Sequence, residues 1–377
     1  MTDEKTVSLS KKQRDSNFEL FRIISMLLIV AHHYVVNSGL MTDMLAKPLQ
    51  GNSIGLFILG AWGKTGINCF VLITGYFMCQ SKITATKFLK LLFEVEFYKI
   101  VIYAIFVLSG YADFSLSSLA NAVLPFSKVG QNFTGCFLIF YLLIPFLNVL
   151  VHNMTEKQHV KLLLLLSCVY IVLGTLLGSN VTMNYVTWFV VLYIIASYVG
   201  TYPKKLFKNT VFWGWTALAS VLLSLASIII LNYTQAKYQF FSPYSFMTDS
   251  NKLFAFMTGF SSFMFFKNIK MRPSKIINTV ATSTFGVLLI HSNSDVMRKW
   301  VWIDIVNPRA MFDSKYLFVH AAVSILGIFV VCTVIDYFRI LLIEKPFFKL
   351  WDRHWEKIVV FYKKIENKLC DRFNIQE

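Results

Sequence analysis

Arg22, His32 and His33 lie within a run of apolar residues that opens at Phe18. Ionisable side chains inside such a run are costly, so each is a candidate for function. His33 follows Arg22 by eleven residues. On an α-helix that is a turn of about 1100°, about 20° past three full turns, and a rise of roughly 16 Å. Arg22 and His33 therefore share a face, and His32 points about 80° away from Arg22. One face would carry a fixed cation and, three turns on, a titratable imidazole. A guanidinium suits phosphate because its planar fork bonds two oxygens at once. An imidazole suits proton transfer because it titrates near neutrality. The pair fits an anionic donor held at Arg22 and chemistry at His33. The alternative is a snorkelling arginine beside two polar residues at a helix interface, and spacing leaves both open.

Other ionisable or aromatic residues are weaker candidates. Glu94 and Glu96 precede Lys99, and Asp336 precedes Arg339. Pairs three apart on a helix are more often structural than catalytic. His291 closes another apolar run and falls in the same half of the membrane as His33. A lone histidine there is usually an interface residue, but its cost keeps it in view. Trp188 and Tyr193 could stack on a sugar ring, or belong to an aromatic belt. The six cysteines form no CxxC or Cys/His zinc spacing, so neither a metal site nor a disulfide framework is expected.

The elements that position these residues follow from composition. Of 377 residues, 56% are hydrophobic and only 15% charged, against about a quarter charged in soluble domains. Mean hydropathy is +0.58. This excludes a disordered chain, a fibrous repeat and an ordinary soluble enzyme. The expected fold is all-α, a polytopic membrane protein of about ten transmembrane helices. Each crossing needs about 20 apolar residues. The spans fall near 18–37, 53–77, 88–109, 132–151, 160–178, 184–200, 210–231, 252–267, 278–293 and 317–343. A basic N-terminus (1–17) precedes a membrane domain (18–345), and a basic tail (346–377) follows it. The first span reads as a retained signal anchor, because Arg22 interrupts its apolar run and no small-residue cleavage site follows.

The net charge of +16 would suggest nucleic acid in a soluble protein. Here it has a topological reading. Of the 36 Lys and Arg residues, 24 fall in the termini, in alternate loops and at the span ends beside them, seven in the opposite loops and the other five within spans. Cytoplasmic loops gather Lys and Arg, so both termini are expected in the cytoplasm. Nucleic-acid binding is not expected.

The segment Asn17-Phe18-Glu19-Leu20-Phe21-Arg22 through to His33 resembles the first helix of membrane-bound acyltransferase family 3, marked by an Arg, ten residues and a His. Gly66 to Tyr76 is similar to the family's phenylalanine-rich Ser-Gly-Phe/Tyr segment, with Thr74 for the usual serine. Lys87-Phe88-Leu89-Lys90 falls where the family has a basic cytoplasmic stretch. Ser283-Thr284-Phe285-Gly286 through to His291 resembles its Ser/Thr-Phe-Gly-x-Tyr-Leu-x-His, with Leu288 where a tyrosine is common. Glu344-Lys345-Pro346 resembles its closing Glu-Lys/Arg-Pro. The matches run in order from residue 17 to 347.

The resemblance implies a ten-helix O-acyltransferase of the bacterial plasma membrane. Its acyl donor would be cytoplasmic acyl-CoA, acetyl-CoA first, and no permanently bound cofactor is implied. The acceptor would be a hydroxyl of a cell-surface or lipid-linked polysaccharide. Some relatives carry an extracytoplasmic domain that completes the transfer; this chain would pass the group directly to its acceptor or to a separate partner. Arg22, Lys82, Lys87 and Lys90 would form a cationic mouth for the phosphates of CoA. His33 would be the catalytic residue, as general base or transient acyl carrier, and Trp188 and His291 would bind substrate. Asn68, Thr74, Trp188 and His291 are the possible oxyanion donors. Gly75 could let the second span bend, or could serve close packing. The rival readings are a transporter or flippase of lipid-linked sugars, a polysaccharide polymerase and a non-catalytic scaffold. A flippase would show paired broken helices in pseudo-symmetric halves, a polymerase a large outer loop, and neither is visible. A scaffold gives no reason for Arg22 and His33 to share a face.

Overall fold

The computed structural model describes residues 14–125, 133–176, 184–239, 241–353, 364, 365 and 368. Most of the basic N-terminus and of the tail after residue 353, together with Lys128, lies outside the described residues. Among the described residues the regular structure is helical throughout.

The helices are α1 (Ser16–Val36), α2 (Leu40–Ala46), α3 (Gly51–Gly60), α4 (Gly63–Met78), α5 (Ala85–Leu108), α6 (Leu116–Val123), α7 (Phe133–Asn153), α8 (Glu156–Leu166), α9 (Gly174–Leu176), α10 (Tyr185–Thr201), α11 (Thr210–Tyr238), α12 (Leu253–Asn268), α13 (Lys275–Thr282), α14 (Thr284–His291), α15 (Asp295–Lys299) and α16 (Leu317–Arg339). Three π-helical stretches, Ser167–Leu173, Trp300–Ile305 and Ile340–Glu344, continue α8, α15 and α16. Every apolar span read from the sequence falls on one or more of these helices.

Among the described residues, six helical segments are long and apolar enough to cross a membrane, by length and composition. The other four spans differ for physical reasons. α5 carries Glu94, Glu96 and Lys99 in one stretch. α10 and α12 have 17 and 16 residues. The ninth span is divided at Ser283 into α13 and α14. Large apolar side chains lie exposed along α7, α11 and α16, among them Phe146, Leu222 and Val323. Such rows are unfavourable in water and natural against lipid.

α1 is the hub. It packs against α3, α4, α12, α13, α14 and α16. α1 and the α13–α14 pair run parallel. At one end Ser16 Oγ donates to Asn278 Oδ1 at 2.8 Å and accepts from the Ser274 amide. At the other end, His33 meets His291. The core has two apolar clusters. One surrounds the second half of α1 with α3, α14 and α16; the other joins α4, α7, α10 and α12. Ile67, Phe88, Leu91, Phe133 and Phe285 border both and form a seam.

The second span breaks, but not at Gly75. α4 runs unbroken to Met78, and a Cβ at Gly75 would sit 3.0 Å from Ala196 Cβ of α10. Gly75 is there for close helix packing. The chain is instead interrupted at Ala61–Trp62, between α3 and α4. The break frees carbonyls, and in hydrocarbon each needs a partner. His32 supplies one, its Nδ1–H donating to the Gly60 carbonyl at 2.5 Å. Its ring lies where a side chain at Gly63 would be: a Cβ there would come within 2.3 Å of His32 Cγ.

Gly63→Ala should therefore push His32 off Gly60 and destabilise the protein by roughly 1–3 kcal/mol, the usual cost of overpacking. Thermal unfolding in detergent measures this. An unchanged midpoint would show that the break does not need His32.

Candidate active site

The site is built on the parallel pair α1 and α14. His33 Nδ1 lies 2.9 Å from His291 Nε2, with ring centroids 5.1 Å apart. His291 is fully buried and His33 partly exposed. His291 Nδ1 lies 2.5 Å from the Val287 carbonyl oxygen. A carbonyl only accepts, so the proton of His291 is on Nδ1. In the neutral ring Nε2 then carries the lone pair, and His33 must donate to it from Nδ1. His33 Nε2 is left as an unprotonated base. One backbone carbonyl thus sets the tautomer of both rings. The arrangement has the logic of a catalytic base held by an orienting partner.

Arg22 stands lower on the same helix, at the wall of a cavity of about 270 Å³. Lys90, Thr74, Glu94, Phe285 and Glu344 also line it. Phe285 of α14 lines the same cavity as Arg22, and His33 meets His291 of that helix. Leu91 and Phe285 place the cavity at the seam between the two apolar clusters. Arg22 pairs with the buried Glu19 at 3.5 Å, a partner the sequence argument had not assigned. The Lys90 ammonium lies 5.1 Å from the Phe348 ring centroid.

The remaining expected residues are elsewhere. Lys82 and Lys87 are exposed and do not line the cavity; the Lys87 ammonium donates to the Lys82 carbonyl at 3.0 Å. Trp188 is fully buried among Tyr170 and Phe256, and its indole donates to Asn68 Oδ1 at 2.8 Å. The Asn68 amide donates in turn to the Ser250 and Ala255 carbonyls. Thr74 donates to the Phe70 carbonyl at 2.9 Å. Tyr193 is buried and donates to Asn148. Among the described residues no group of three His, Cys, Asp or Glu is arranged to hold a metal.

Glu94 and Glu344 tie the cavity wall to a largely buried charge cluster. Arg339 bonds Asp336 at 2.8 Å and Glu344 at 2.6 Å, and pairs with Glu94 at 3.3 Å. Tyr98 donates to Asp336 at 2.8 Å. The spacing of Asp336 and Arg339 gives only that pair; Glu344 comes from the π-helical turn that follows, and Glu94 is a tertiary partner from α5. Lys99 holds Glu96 at 3.2 Å, as the i,i+3 spacing suggested. Gly286 is where this cluster meets α14: a Cβ there would lie 2.3 Å from Asp336 Cγ.

Removing Arg339 would leave three carboxylates close together. Arg339→Ala is expected to destabilise the protein by about 3–5 kcal/mol, the cost of breaking a buried pair from one side. Arg339→Lys should recover part of this, having one ammonium for three partners. Thermal unfolding of the two variants checks the order, and equal stability of Arg339→Ala and wild type would refute it.

No curated protein and no solved structure matches the chain. The model of the acyltransferase domain family matches residues 15–337, which hold Arg22, the histidine pair and most of the cavity wall. With an all-helical membrane fold and a buried histidine pair already in place, this polytopic protein belongs to membrane acyltransferase family 3, and its activity is acyl transfer.

Proposed function

We propose that the protein moves an acyl group, acetyl first, from cytoplasmic acyl-CoA to a hydroxyl of a cell-surface or lipid-linked polysaccharide. The observation that carries the reading is the Val287–His291–His33 chain, three helical turns along α1 from Arg22. The phosphates of CoA rest at the mouth made by Arg22 and Lys90. Glu94 and Glu344 share that cavity but are engaged by Arg339, which limits their repulsion of an anion. The thin pantetheine arm runs along the α1–α14 face and brings the thioester to His33.

The chemistry is addition and elimination at the thioester carbonyl. The acceptor hydroxyl oxygen attacks the carbonyl carbon while its proton passes to His33 Nε2. The C–S bond of the tetrahedral intermediate then breaks. The thiolate leaves and takes the proton back, giving CoA thiol and an ester. While His33 is an imidazolium, its Nδ1–H bond to His291 becomes charge-assisted and stronger. A base so placed contributes about 10²–10⁴-fold. Direct transfer through the general base needs no acyl-histidine, and Nε2 is the nitrogen the pair leaves available.

The opposite arms of the site separate in tests. His33→Ala should abolish O-acetylation of the host's surface polysaccharide, read by NMR with expression checked by blot, and His32→Ala should retain it. Unchanged acetylation with His33→Ala, in a host where deleting the gene removes it, would take His33 out of the chemistry. Arg22→Ala should raise the KM for acetyl-CoA about 10–100-fold, the worth of one or two charged hydrogen bonds, and leave kcat less affected. A kcat loss at constant KM would place Arg22 away from the donor.

A further inference from the structure

Acyl transfer needs donors for the oxyanion of the tetrahedral intermediate. The four candidates read from the sequence are spoken for. Asn68 and Trp188 bond each other, and Asn68 also serves two carbonyls. Thr74 donates into its own helix. His291 donates to Val287 and accepts from His33.

Two other N–H donors belong to residues next to the histidine pair in the fold or the chain. Trp302 is fully buried, and its Nε1 has no hydrogen-bond partner among the described residues. Its ring stands edge-on to His291, at 6.2 Å between centroids and 89° between planes, and edge-on to Tyr34. Asn37 Nδ2 is likewise buried and unpartnered. Asn37 follows His33 by four residues, about 40° round the helix and 6 Å along it. Its backbone amide is tied to the His33 carbonyl at 3.0 Å. Buried donors without partners are few in folded proteins, and each calls for a partner. Trp302 also sits on the π-helical stretch Trp300–Ile305, and such stretches are frequent at functional sites.

The geometry points to Trp302 Nε1–H and Asn37 Nδ2–H as the donor pair that receives the thioester carbonyl oxygen as it gains negative charge. This rests on the acyl-CoA reading above. The balance is that of the transfer itself. The oxygen takes the π electrons of the C=O bond when the acceptor adds, the two N–H groups bond it without giving up their protons, and the electrons return as the C–S bond breaks. Both donors are neutral, so they stabilise the intermediate without holding a permanent charge in the apolar core.

The test uses membrane vesicles from the expressing host, which supply the native acceptor, with acetyl-CoA added and thiol release measured against vesicles lacking the chain. Trp302→Phe keeps an aromatic ring and removes the N–H, together with part of the buried ring volume. It should lower kcat about 10²–10³-fold, the effect of removing one oxyanion donor, at unchanged KM and with the same pH profile. Asn37→Ala should act in the same direction. A wild-type rate in both variants, with His33→Ala inactive, overturns the donor pair and leaves the acyl-CoA reading standing. A loss in Trp302→Phe that comes with a shifted pH profile or a raised KM overturns it too, because Trp302 would then act by holding His291 or the donor. Full activity of His33→Ala overturns the reading beneath it.

Discussion

The bond from His291 to the Val287 carbonyl constrains more than its own ring. It fixes a proton on one nitrogen, and through the His33 contact it fixes a lone pair two rings away. For that bond to be useful, α14 must bring His291 to the level of His33, so α1 and α14 must run parallel and close. Ser16, Ser274 and Asn278 hold the far end of the same pair in register. Gly286 lets Asp336 of α16 press against α14. The glycine and the histidine of that motif, five residues apart, thus answer to different neighbours.

The intramembrane polar groups follow one rule with different outcomes. Arg22 has Glu19, Arg339 has three carboxylates, and His32 has the Gly60 carbonyl. Buried ion pairs add little net stability, since desolvation offsets the attraction. The Arg339 cluster is better understood as a register device. It ties α5, α16 and the π-helical turn bearing Glu344 to one point beside the cavity. Asp336 and Glu344 flank Arg339 on its own helix and Glu94 comes from α5, so a slip of α5 against α16 would strand a charge in hydrocarbon.

Much of this was legible because helical geometry is regular. The eleven-residue spacing puts Arg22 and His33 on one helical face, and the direction of the ninth span puts His291 in the same half of the membrane as His33. The location of the span break was not legible. Gly75 is the more conspicuous glycine, but it meets α10, and the interruption falls where His32 can cap it. Trp188 shows the same limit: an aromatic on an apolar helix reads as belt or platform, and only the tertiary fold reveals its bond to Asn68. Nothing in the sequence marks Trp302, because what sets it apart is an indole N–H with no partner among the described residues. Lys82 and Lys87 were grouped with Lys90 by charge, and only Lys90 reaches the cavity.

The choice of a histidine at position 291 also has a physical reason under the proposed chemistry. A carboxylate would orient His33 as well, and soluble enzymes often use one. In an apolar membrane core that carboxylate would bear its charge through the whole cycle, and an uncompensated buried charge costs several kcal/mol. The neutral imidazole orients His33 through a lone pair and carries no net charge at rest. Charge then appears only when His33 takes a proton, and it appears beside the oxyanion that balances it. The one N–H proton that the neutral ring carries is anchored by a backbone carbonyl, which needs no further residue. A His–His pair on two parallel helices is therefore a way to hold a base in hydrocarbon while confining the electrostatic cost to the moment of reaction.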